Sequence, residues 1–68
     1  MTPLKKIRLE RRQSAQSIAR ALGVDPATIS RVERGLARCS PDLAERLAKH
    51  FGGAITELQI LYPERFTQ

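Results

Sequence analysis

In the run GVDPATISRVERG at residues 23–35, Ala27, Ser30, Arg31 and Arg34 share one side of a helix wound at about 100° per residue. Ile29, Val32 and Glu33 share the other. The first set combines two guanidiniums, each a planar fork of N–H donors, with a hydroxyl and a methyl that add little height. Such a face donates hydrogen bonds to phosphate or to exposed acceptor atoms, and its small residues let the helix backbone come close. Two readings compete at this point: a solvated surface helix, and a probe that enters something narrow and anionic.

Other reactive side chains are few and scattered. Cys39 is the single cysteine, so no internal disulfide forms, and it reads as an inert thiol of a reducing compartment. His50 stands beside Phe51 at a helix end, with no second His, Cys pair or carboxylate cluster nearby, so neither a metal nor a cofactor is expected. No nucleophile, base and orienting group fall together, no glycine loop cradles a phosphate, and 68 residues leave little room for a pocket. An enzyme is not expected.

Charge separates the two readings further. The net charge is +5, but residues 1–38 carry nine basic side chains against three acidic ones, while residues 39–68 carry three against four. A polyanion is therefore expected on the first half of the molecule. Arg38 is the best phosphate candidate outside the opening run, and Lys5, Lys6, Arg11 and Arg12 read as a long-range field rather than specific contacts. The chain is 41% hydrophobic, ordinary for a globular protein, yet its length makes one domain with a marginal core unless the helices pack well or a second subunit helps. Apolar runs fall far short of the roughly 20 residues that span a bilayer, and no secretory signal is read, so a cytoplasmic location without membrane contact is expected.

The elements that hold these residues are well signalled. Thr2 caps a first helix with Pro3 in its first turn and Leu4 and Ile7 facing inward. Ser14 caps a second helix from Ala15 to Leu22, where Ala15, Ile18, Ala19 and Leu22 follow the i, i+3, i+4, i+7 spacing. Gly23 ends it, Val24 points back to the core, and Asp25 caps a third helix from Pro26 to Arg34 that Gly35 closes. Ser40 and Pro41 start a fourth helix that runs to His50, with Leu43, Ala44, Leu47, Ala48 and then Phe51 inside. A fifth helix spans about Ile55 to Leu61, and Pro63 prevents its continuation. No strand pattern or repeat is present.

Two helices joined by a three-residue, glycine-containing turn are a helix-turn-helix, here at about residues 14–35. The second helix of the pair is roughly 12 to 14 Å long at about 1.5 Å per residue, which suits a major groove about 12 Å wide. Ala27 and Ser30 then let the backbone approach base edges, and Arg31 reaches guanine.

The run QSAQSIARALGVDPATISRVERG, with Arg8 before it and a capped helix after it, resembles the helix-turn-helix proteins of the Cro/C1 repressor type, also called the XRE family. The likeness covers about residues 4–60 and is carried by Ile18-Ala19, Leu22-Gly23-Val24, Thr28-Ile29-Ser30 and Glu33-Arg34-Gly35. It implies an all-α, five-helix, lambda-repressor-like DNA-binding domain over residues 1–68, acting as a dimer. It also implies an Arg8–Glu33 ion pair that fastens the first helix to the third, which fits the inward position of Glu33. In the family a Gln after the second helix cap grips phosphate; Ala15 stands there, with Gln16 next to it, so the backbone N–H groups of that helix start take the role. Gln13 replaces an apolar residue usual in the family, which predicts looser local packing. The expected base contacts are Ala27, Ser30 and Arg31, with the Ala27 methyl against a thymine methyl; the expected phosphate contacts are Ser14, Ala15, Gln16, Thr28, Arg34 and Arg38.

The C-terminal stretch, about residues 54–68, is rich in apolar side chains. Ile55, Leu58 and Leu61 are expected in the core, while Ile60, Tyr62 and Phe66 lack an obvious place to bury and are expected at a homodimer interface. Such a dimer demands a near-palindromic operator. The reading is thus a phage or bacterial transcriptional regulator that acts by occupying double-stranded DNA. Its rival is an antitoxin or adaptor module whose main role is to hold a partner protein.

Overall fold

Each helix begins where a short polar side chain stands ready to accept an N–H from the first turn. In the computed structural model, which describes residues 2–66, Thr2, Ser14, Asp25, Ser40 and Thr56 all sit in extended backbone as N-caps and accept from Lys5, Ser17, Ala27, Leu43 and Gln59. Met1 and the last two residues of the expected tail, 67 and 68, lie outside the described residues. The helices are α1 (Pro3–Glu10), α2 (Ala15–Leu22), α3 (Pro26–Glu33), α4 (Pro41–His50) and α5 (Glu57–Leu61), followed by a 3₁₀ turn at Pro63–Arg65. Among the described residues there is no strand, so the fold is all-α as the sequence predicts.

One core joins all five helices. Leu4 of α1, Ile18 and Ala19 of α2, Ile29 and Val32 of α3, and Leu43, Ala44 and Leu47 of α4 are buried together with Cys39, Phe51, Ile55 and Ile60. The link between α2 and α3 is Gly23-Val24-Asp25. Gly23 takes φ 70°, where a side chain is disfavoured, and this left-handed step turns the chain sharply while Val24 packs back on the core. Arg46 of α4 donates to the Leu22 carbonyl, closing the end of α2 from outside the pair.

The fifth helix departs from expectation. It starts at Glu57, not near Ile55, because Thr56 and Gln59 form a reciprocal capping box that fixes the first turn. That start sets the helix phase: Ile60 turns inward and is 3% exposed, while Leu58 turns outward at 57%. Ile60 is therefore a core residue and not part of a subunit interface. Leu61 and Tyr62 are half-buried, and Phe66 remains 47% exposed.

Candidate nucleic-acid interface

The two faces of α3 do different work. Its inner face buries Ile29 and Val32 in the core, and Glu33 is 5% exposed, the one buried charged residue among those described. A carboxylate taken out of water needs a partner. Arg8 of α1 supplies it as a two-pronged fork, Nε to Oε2 at 2.8 Å and Nη2 to Oε1 at 2.7 Å. That hydrogen bonding holds the Arg8 guanidinium above its ordinary pKa. The Thr2 hydroxyl donates to the Glu33 carbonyl, so the last turn of α3 is tied to the chain at both its side chain and its backbone. On the outer face Ala27 and Arg31 are exposed, and Thr28 and Ser30 are half-buried. Arg34, the C-cap, is exposed and bends its Nε back toward the Ser30 carbonyl at 3.4 Å.

At the start of α2 the Ser14 hydroxyl oxygen accepts the Ser17 N–H at 3.0 Å, leaving its own O–H to donate. The Ala15 methyl packs partly against the core, and Gln16 is exposed. The first N–H groups of a helix, here those of Ala15 and Gln16, have no acceptor within it. Packed α2 and α3, the Gly23-Val24-Asp25 turn and the outward arginines together make a helix-turn-helix with a positive outer surface.

Comparison with known proteins gives the same answer. A family model described as a helix-turn-helix domain matches residues 3–59. The chain belongs to this family. No curated protein and no solved structure matches it.

A helix-turn-helix domain is a DNA-binding module, and α2 and α3 are its two helices here. In this helix-turn-helix domain the turn before α2 is held by contacts that sequence reasoning missed. Gln13 is not loosely packed: its carbonyl accepts Arg8 Nη1 at 3.0 Å, its N–H donates to the Arg8 carbonyl at 3.1 Å, and its Oε1 accepts His50 Nε2 at 2.8 Å. The His50 ring also meets Phe51 edge-on, with centroids 4.9 Å apart. No local signal announces the Gln13–His50 bond, because the two residues lie 37 positions apart, one in the α1–α2 turn and the other at the end of α4. Arg38 is exposed in the α3–α4 loop, away from α3 itself, and lines a shallow groove with Cys39, Leu61 and Tyr62. Cys39 is buried, and desolvation pushes its thiol up to about 11. Leu36, one turn past α3, is 69% exposed. Arg65 lies over the Tyr62 ring, 4.6 Å from its centroid.

Proposed function

We propose that this chain is a sequence-specific transcriptional regulator of the Cro/C1 type that occupies a near-palindromic site on double-stranded DNA as a homodimer, with α3 in the major groove. The observation that carries this reading is the division of α3 into a fastened inner face and an outer face of Ala27, Ser30, Arg31 and Arg34 whose side chains, among the described residues, make no hydrogen bond beyond one to backbone. In this reading Arg31 meets guanine O6 and N7, and Ser30 and Ala27 lie against neighbouring base edges. Ser14, Ala15, Gln16, Thr28, Arg34 and Arg38 meet phosphates and set the register. The protein acts by occupancy, without chemistry on the DNA, and in the cytoplasm.

The dimer uses the C-terminal tail and the α3–α4 loop. Tyr62 and Phe66 supply the tail's apolar surface, and the exposed Leu36 supplies that of the loop. A second reading, a module that holds a partner protein, draws on Leu58, which is exposed on α5.

Selection from a random duplex pool, followed by a salt titration of the selected site, tests the choice. A regulator returns a two-part consensus whose affinity falls steeply with salt, the signature of phosphate neutralisation. A pool that yields no consensus, bound weakly at every salt concentration, leaves the partner-protein reading standing.

A further inference from the structure

Helices α1 to α4 end in the same way. In each, the residue after the C-cap region turns left-handed, and two backbone N–H groups bond back to the last turn: Gly23 and Val24 to Arg20 and Ala19, Gly35 and Leu36 to Val32 and Arg31, Gly52 and Gly53 to Lys49 and Ala48. At the end of α1 the same pair of bonds runs from Arg12 and Gln13 to Leu9 and Arg8, both at 3.1 Å. The left-handed residue is glycine in three of these ends, at φ 70°, 75° and 61°, but at α1 it is Arg12, at φ 55°. No other non-glycine among the described residues has a positive φ.

This conformation costs an arginine what it does not cost a glycine, because Cβ crowds the following carbonyl. The conformation persists because Gln13, the next residue, is pinned at its N–H, its carbonyl and its side chain by Arg8 and His50. The Arg12 side chain repays none of that cost within the chain. It is exposed, and among the described residues it enters no hydrogen bond or ion pair. What arginine adds at this position is a guanidinium held two residues before Ser14, the N-cap of α2, on the basic half of the molecule.

We propose that Arg12 is a specific phosphate contact, a fixed anchor on the DNA backbone strand that meets the start of α2, and not one member of a diffuse positive field. This rests on the DNA-binding reading above. The clamped turn sets the direction in which the guanidinium leaves the backbone, and a two-pronged guanidinium suits phosphate better than a point charge does.

Arg12→Gly, Arg12→Lys and Lys6→Gln, compared with the unaltered protein on its selected duplex, test it. Lys6 is the charge control, since it lines the groove between α1 and α5. Arg12→Gly should raise Tm by about 4 to 8 °C through relief of the left-handed arginine. The same variant should bind operator about tenfold more weakly at low salt, and its log affinity should fall less steeply with log salt by about 0.9 per subunit. Arg12→Lys should recover the salt slope, and Lys6→Gln should leave it unchanged. Arg12→Gly that binds like the unaltered protein, or that loses no more than Lys6→Gln, overturns the proposal while the DNA-binding reading stands. An unaltered protein that shows no salt-dependent binding to any duplex overturns that reading, and this proposal with it.

Discussion

Replacing Arg31 with alanine separates reading from mere attraction. It is the long donor on the exposed line of α3, and a guanidinium that grips one guanine at two atoms is worth roughly 1 to 3 kcal/mol of discrimination. Arg31→Ala should therefore relax the preference at one base position in each half-site while leaving affinity for random duplex nearly intact. An equal loss on both would make Arg31 a phosphate contact. Cys39 makes the opposite case, a side chain whose chemistry is silenced by its place. Burial raises its thiol from 9.0 to about 11, so between those values the unfolded chain loses a proton that the folded chain keeps. Stability from this group is complete below about pH 9 and is lost as pH rises through 11, by at most about 2 to 3 kcal/mol. Thermal melts of the protein and of Cys39→Ala across that window should converge as the pH rises.

Between elements, the Arg8–Glu33 bond is the contact most open to measurement. Arg8→Met leaves a carboxylate buried without a partner and should cost about 2 to 4 kcal/mol in urea unfolding, whereas Arg8→Met with Glu33→Met should recover much of it. A loss below about 1 kcal/mol in the single variant would mean that water screens the pair. The same scale shows why some of the fold was legible in the sequence and some was not. Caps were legible because each acceptor lies within three residues of its donor, as at Thr2, Ser14, Asp25 and Ser40. The phase of α5 was missed although its signal was present: the capping box of Thr56 and Gln59 starts the helix two residues late and exchanges Leu58 for Ile60 in the core. The Gln13–His50 bond and the left-handed Arg12 had no local signal, since one depends on packing between distant segments and the other occupies a position where glycine is the usual marker. Whether the outward residues of α3 meet bases or phosphates is a property of the complex, and no pattern within one chain encodes it.

For the whole molecule, size bears on assembly. Its extents are 28 × 22 × 18 Å, and α3 is eight residues long, about 12 Å, so one copy reads only a few base pairs. Successive turns of the major groove lie roughly 34 Å apart, beyond the longest dimension of a single chain. The proposed dimer would reach both grooves. Sedimentation at micromolar protein should accordingly show a dimer on operator DNA, and Tyr62→Ser with Phe66→Ser should leave one copy on a half-site. A single copy of the unaltered protein on an asymmetric site would confine the tail to its role within the chain.

The separation of the two faces of α3 has a consequence for how such a protein changes over time. Positions 27 and 31 are exposed, and among the described residues their side chains make no hydrogen bond or ion pair, while positions 29, 32 and 33 are fixed by the core and by Arg8. Substitutions at the first two should be almost neutral for folding, within about 0.5 kcal/mol for residues that tolerate a helix. On the proposed reading, a lineage can therefore exchange one DNA target for another by rewriting a few letters on one surface, without passing through an unstable intermediate.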